Sequence, residues 1–173
     1  VGAVKTLHVI GYKNSGKTTL IARWVRLLKK MGYSVAVLKH HGHGGALSMP
    51  DSETDAMQFF TTGADVSIVA GGGAVQLLMN EEPDFTQLKQ LAITRISDVL
   101  LIEGYKEQMG DKVVLLRSEE DWQSLHNVQG VQLVVGAPDT AIDYPHISSR
   151  AEDRQLDFWL LDWIGREEHD ETV

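Results

Sequence analysis

Residues 11–18 read Gly-Tyr-Lys-Asn-Ser-Gly-Lys-Thr, which matches the spacing G-x-x-x-x-G-K-[ST], and no other segment narrows the choice of fold as sharply. The pattern has physical meaning only between a buried strand and the first turn of a helix. There the glycines let the backbone wrap around a phosphate, successive N–H groups point inward, and the helix dipole adds positive potential. Both flanks comply. Leu7 to Ile10 is a short apolar run ended by Gly11. From Thr18 onward, Leu20, Trp24, Leu27, Leu28 and Met31 recur at helical spacing, and Gly32 is placed to cap the C-terminus. Val35 to Leu38 reads as a second buried strand. Strand, loop, helix and strand together have the length of one right-handed crossover, which calls for a parallel sheet.

The rest of the chain extends this pattern with one interruption. His40 to Pro50 carries three glycines, three histidines and a proline without periodicity and reads as a loop. Ser52 and Asp55 have capping-box spacing and open a helix expected to stop at Gly63. Val66 to Ala70 and Ala74 to Met79 flank Gly71-Gly72-Gly73, the pattern of a β-hairpin with a three-residue glycine turn. Phe85, Leu88, Leu91 and Ala92 return to helical spacing, and Asp98 to Ile102 is a strand running into Glu103-Gly104. Val113 to Leu116 and Val131 to Val135 add strands, with a short helix between them opened by Ser118 and Asp121. Asp153 to Ile164 places Leu156, Trp159, Leu160, Trp163 and Ile164 on one face, as in a docked helix. The expected architecture is an α/β P-loop NTPase fold: a mostly parallel sheet flanked by helices, with an inserted antiparallel β-hairpin.

Composition limits what such a fold could serve. A chain of 173 residues suits one domain, expected over residues 1–166, with 167–173 as a frayed acidic tail. The net charge of −8 argues against a backbone-driven grip on nucleic acid or anionic lipid, and half of it comes from Glu167, Glu168, Asp170 and Glu171. With no cysteine there is no disulfide, no thiolate metal site and no cysteine nucleophile. No apolar stretch reaches the roughly 18 residues of a membrane span. A soluble protein is expected, with residence in the cytoplasm permitted.

The candidate chemistry centres on the phosphate loop. Lys17 is placed to reach β and γ phosphates, and the Thr18 hydroxyl to complete a magnesium shell. Gly11, Lys13, Asn14, Ser15, Gly16 and Thr19 complete the expected nucleotide-binding set. Such a site needs an acid at the end of a neighbouring strand to hold magnesium, and Glu103 follows four apolar residues in that position. Asp51, Glu53 and Asp55 offer carboxylates after the second strand, where the γ-phosphate is commonly sensed, although acids at a helix N-terminus are also favoured by the dipole. Asp139, in Gly136-Ala137-Pro138-Asp139, could accept from guanine N1 and N2, or serve only as a turn residue. His40, His41 and His43 could bind Ni²⁺ or Zn²⁺, or simply line a solvated loop.

With these residues in place, the chain resembles the MobB family of molybdopterin-guanine dinucleotide biosynthesis adaptor proteins. The resemblance rests on the loop from Gly11 to Thr19, the Lys39-His40 step, the segment from Asp55 to Thr62-Gly63-Ala64, and Val99-Leu-Leu-Ile-Glu103-Gly104-Tyr105-Lys106. It implies GTP binding with Mg²⁺, slow intrinsic hydrolysis, dimerisation, and service to the guanylyltransferase that attaches GMP to molybdopterin, with molybdopterin-bearing proteins as further partners. By position, Gly11, Gly16, Lys17, Thr18 and Thr19 match the family's phosphate loop, Glu103 its acidic strand end and Asp55 an acidic switch position. Asp55 and Glu103 are therefore the expected catalytic residues, and Thr18 and Glu103 the expected metal ligands. Three other readings compete. A nickel-type metal-insertion GTPase would use the histidine loop. A small-molecule kinase would need a lid rich in arginine after the acidic strand, whereas Arg117, Arg150 and Arg154 are scattered. A non-catalytic module would keep a structural nucleotide.

Overall fold

A parallel strand buried on both faces is apolar at most positions, and the computed structural model places such strands at the centre of a six-stranded sheet. It describes residues 3–42, 45–95 and 98–166. The chain forms two compact units, one from Val1–His40 and Leu91–Val173 and the other from His41–Gln90.

In the first unit, β1 (Lys5–Ile10), β2 (Val35–Lys39), β5 (Val99–Glu103), β6 (Asp111–Leu115), β7 (Val131–Val135) and β8 (His146–Ile147) run in the order β2-β5-β1-β6-β7-β8. Every neighbouring pair is parallel. Alternation along the strands feeds two cores. Leu7 and Val9 of β1, Val99 and Leu101 of β5, and Val113 and Leu115 of β6 meet helices α1 (Lys17–Lys30) and α5 (Asp153–Gly165) on one face. Ile10, Val114 and Val134 meet Trp122 and Leu125 of α4 (Glu119–Leu125) on the other.

Helices α1 and α5 are tied by aromatic and charged contacts. Trp24 stacks on Trp159 with ring centroids 6.0 Å apart, and Trp159 on Trp163 at 6.3 Å. Arg23 of α1 grips Asp157 of α5 through two nitrogens at 2.9 and 2.6 Å and reaches Asp153 at 2.8 Å. Helix α1 ends in a Schellman motif: Tyr33 N–H donates to the Leu28 carbonyl, and Gly32 N–H to that of Lys29. The φ of +90° at Gly32 explains why glycine stands there.

The second unit holds α2 (Asp55–Thr61), the antiparallel pair β3 (Val66–Gly71) and β4 (Ala74–Met79), and the start of α3 (Phe85–Ile93). One face of the hairpin turns toward α2, where the buried Ser67 hydroxyl donates to the Ala56 carbonyl at 3.0 Å. The opposite face consists of Val66, Ile68, Ala70, Val75, Leu77 and Met79, all apolar and all solvent-exposed.

Two local expectations are corrected. Gly71 pairs with Ala74, so the hairpin turn is two residues long, not three. Gly72 and Gly73 have φ of +57° and +82°, the all-positive signature of a type I′ turn, which matches strand twist better than a longer loop. Ser52 does not open α2. Thr54 is its N-cap, and the preceding turn is held by Asp51, whose carboxylate accepts from Glu53 N–H at 2.9 Å. A reciprocal capping box does form at α3, where Asp84 Oδ1 accepts from Gln87 N–H and Gln87 Oε1 from Asp84 N–H. The two-residue β8 has too little periodicity to be seen in sequence, and residues 167–173 lie outside the described part of the chain.

Candidate functional site

The phosphate loop leaves the sheet at the carboxyl end of β1, between β5 and β6, where a parallel sheet opens a crevice. Its backbone turns through positive φ three times, at Gly11 (+152°), Asn14 (+64°) and Gly16 (+100°). At Gly11 a Cβ would lie 2.6 Å from Ser15 Oγ and 2.7 Å from the Leu115 carbonyl, so no side chain fits. Asn is among the few non-glycine residues that tolerate the left-handed region. The Ser15 N–H closes the loop onto the Tyr12 carbonyl at 3.1 Å.

Lys17 folds back over this loop. Its ammonium donates to the carbonyls of Gly11 at 2.8 Å and Tyr12 at 2.9 Å, which holds the charge at the rim of the cradle. Partial loss of solvation pulls its pKa below the ordinary 10.5, opposed by the carboxylate of Glu103 and assisted by the positive charges of Lys39 and Arg117. Glu103 faces it from the end of β5. Register places Glu103 beside Val9 of β1 and Lys39 of β2, and the Lys39 ammonium stands 3.7 Å from its carboxylate. The Gly104 N–H donates to the Val9 carbonyl at 3.0 Å, fixing the exit of β5 against β1.

A cavity of about 680 Å³ opens over these groups. Lys13, Asn14, Gly16, Lys17, Thr18, Thr19 and Glu103, all expected from sequence, line it together. Ser15 is buried, and its Oγ has no hydrogen-bond partner among the described residues. Asp139 is not among the lining residues. It sits in the exposed loop after β7, and the next residue, Thr140, is tied to Glu119 at the start of α4 through its hydroxyl and its N–H. Asp55 belongs to the other unit, as the first residue of α2. His40 packs on Tyr105 with centroids 4.6 Å apart, whereas His43 lies outside the described residues. Among the described residues no three His, Cys, Asp or Glu side chains form a metal cage.

Sequence reasoning missed the two arginines that hold the loop from outside. Arg117 makes a two-pronged pair with Asp121 at 2.9 and 2.8 Å, donates to the Lys13 carbonyl at 3.0 Å and lies over the Tyr12 ring. Hydrogen bonds from Arg117 hold the Asp121 carboxyl below its ordinary pKa. Arg150 donates to the Asn14 carbonyl at 3.2 Å and forms part of the cavity wall. Arg117 had a positional signal, since it follows a strand that pairs with β1. Arg150, beyond a two-residue strand, had none. Lys39, Arg23 and Asp153 also line the cavity.

The donor set suits a magnesium nucleotide. Lys17 offers a point charge for terminal phosphates, and the Thr18 hydroxyl and Glu103 carboxylate offer the hard oxygens that Mg²⁺ takes. Sheet order, crossover and loop together define a protein of the P-loop NTPase fold class. The model of the family described as molybdopterin guanine dinucleotide synthesis protein B matches residues 6–137, and the chain belongs to that family, MobB. It is similar to the probable molybdopterin-guanine dinucleotide biosynthesis adapter protein of Bacillus subtilis, with 37% identity over 128 residues and 74% of each chain covered. It also resembles the crystal structure of Bacillus subtilis MobB, at a TM-score of 0.78 and 30% identity, covering 91% of this chain and 96% of that one. A MobB homologue from Bacillus stearothermophilus superposes at a TM-score of 0.72 with 31% identity, covering 92% and 97%.

Proposed function

We propose that this protein is a magnesium-dependent GTP-binding adapter in molybdopterin guanine dinucleotide biosynthesis, acting in the cytoplasm on behalf of the guanylyltransferase of that pathway. The observation that carries the reading is the meeting of Lys17, Thr18 and Glu103 on one cavity above a loop with room for no side chain at Gly11. The ammonium of Lys17 rests on two loop carbonyls, and a terminal phosphate is a stronger partner for it than either. Bound Mg²⁺ would neutralise phosphate charge, with Thr18 and Glu103 holding it directly or through water.

Turnover by the isolated chain is expected to be slow. Arg117 and Arg150 both spend donors on loop carbonyls, and Arg117 is further committed to Asp121. Asp55 is the candidate for orienting water, as the family resemblance implies. The six exposed apolar residues on one face of the hairpin fit a homodimer, since a two-stranded ribbon is marginal alone and an apolar sheet face asks for cover.

The reading is tested by measuring association with the guanylyltransferase, and GTP hydrolysis, with and without each ligand. GTP and the partner are expected to strengthen each other's binding by the same factor, because coupling is reciprocal. Association that ignores GTP, or fast hydrolysis by the chain alone, would overturn the adapter role in favour of a self-sufficient GTPase.

A further inference from the structure

Two groups of residues from different parts of the chain line the cavity. One is the phosphate loop with Lys17 and Lys39, and the other is formed by Arg150, Ala151, Asp153 and Leu156, where the chain leaves β8 and enters α5. Resting on the reading of this cavity as a GTP site, we infer that the second group receives the nucleoside and that the Asp153 carboxylate recognises guanine by accepting from the base N1–H and exocyclic N–H₂.

Three observations support this assignment. First, the phosphate-loop group is strongly cationic, so the carboxylate of Asp153 repels phosphate and is suited to a neutral group that only donates. The Watson–Crick edge of guanine offers two such donors side by side, and that of adenine, with N1 an acceptor, does not. Second, Asp153 can be released cheaply. Its Oδ2 meets Arg23 through a single nitrogen at 2.8 Å, whereas Asp157 holds the same guanidinium through two, at 2.9 and 2.6 Å. Arg23 therefore stays paired when Asp153 turns to a ligand, and the Asp153 side chain is 57% exposed before it does so. Third, the surroundings suit a base. Ala151 is exposed and apolar. The planar guanidinium of Arg150 is anchored on the Asn14 carbonyl and lies against Gly16, with its Cδ and Nη1 each 3.2 Å from where a Cβ on Gly16 would lie. The other candidate carboxylate, Asp139, does not line the cavity.

Xanthine carries a carbonyl where guanine carries N–H₂, so an amide in place of the carboxylate should invert the preference. The test compares binding of GTP and XTP, each with Mg²⁺, to the wild-type protein and to Asp153→Asn and Asp139→Asn. Wild type and Asp139→Asn are expected to favour GTP. Asp153→Asn is expected to bind GTP roughly 10- to 100-fold more weakly and to gain affinity for XTP. A gain cannot come from misfolding, so it separates recognition from damage. Unchanged GTP affinity in Asp153→Asn, or a loss without any gain for XTP, overturns the assignment while leaving the GTP site standing. Failure of the wild-type chain to bind either nucleotide overturns the GTP reading itself.

Discussion

At the scale of single residues, the phosphate loop is a backbone structure held by side chains that lie far away in sequence. Arg117 is the clearest case, since it joins Asp121 on α4 to the Lys13 carbonyl. Asp121 is buried, and replacing it with Asn leaves Arg117 without its charged partner. Asp121→Asn is expected to cost about 1–3 kcal/mol of stability, measured by urea unfolding at neutral pH. The sign of its pH dependence follows from the lowered pKa. The native state binds this proton less readily than the unfolded chain, so the stabilisation is complete above the ordinary 3.8 and drains away as pH falls through the depressed native value. Wild type and Asp121→Asn should therefore converge in stability at strongly acidic pH, and a constant gap down through that range would remove the ion pair from the account. Gly11→Ala is a sharper test of the loop. Its Cβ would collide with Ser15 Oγ and the Leu115 backbone, so nucleotide binding should fall sharply, as calorimetry would show, even where circular dichroism reports intact helices.

At the scale of elements, most of the sheet was legible because burial on both faces leaves an unmistakable apolar run in sequence. Val99 to Ile102 and Leu133 to Val135 are such runs. The helix ends at Gly32 and Gly63 were legible for a different reason, since a C-terminal cap at positive φ selects glycine. The N-terminus of α2 was not. Ser52 and Asp55 have the spacing of a capping box, yet the Asp51 turn takes precedence and the reciprocal bonds form at Asp84 and Gln87 instead. The hairpin was legible, but its turn was misjudged by one residue because three consecutive glycines do not reveal which of them pairs. Both turn glycines sit at positive φ, so Gly72→Val, a β-branched residue forced into the left-handed region, should destabilise the hairpin by about 1–2 kcal/mol. Limited proteolysis within His41–Gln90 is the measurement, and an unchanged cleavage rate would contradict the turn assignment.

At the scale of the whole molecule, two surfaces remain to be satisfied: a charged cavity and an apolar hairpin face. The cavity was largely readable, since Lys13 to Thr19 are contiguous and Glu103 ends an obvious strand. Its arginines and Asp153 were not, because sheet order brings them together from segments that nothing in the sequence links. The hairpin face predicts a homodimer. Sedimentation should give a dimer at micromolar concentration for wild type, and a monomer when Ile68→Lys and Val75→Glu are combined, since these place two charges on the exposed face. A wild-type monomer would sink the proposal. If the loop binds magnesium GTP through Lys17, titration calorimetry will read it from the heat of binding. Wild type is expected to bind one Mg²⁺–GTP per chain saturably, and Lys17→Ala to lose about 2–5 kcal/mol of binding with its thermal unfolding unchanged, because the side chain serves phosphate and not the core. Equal affinity in the two proteins, or no binding by wild type, would contradict it.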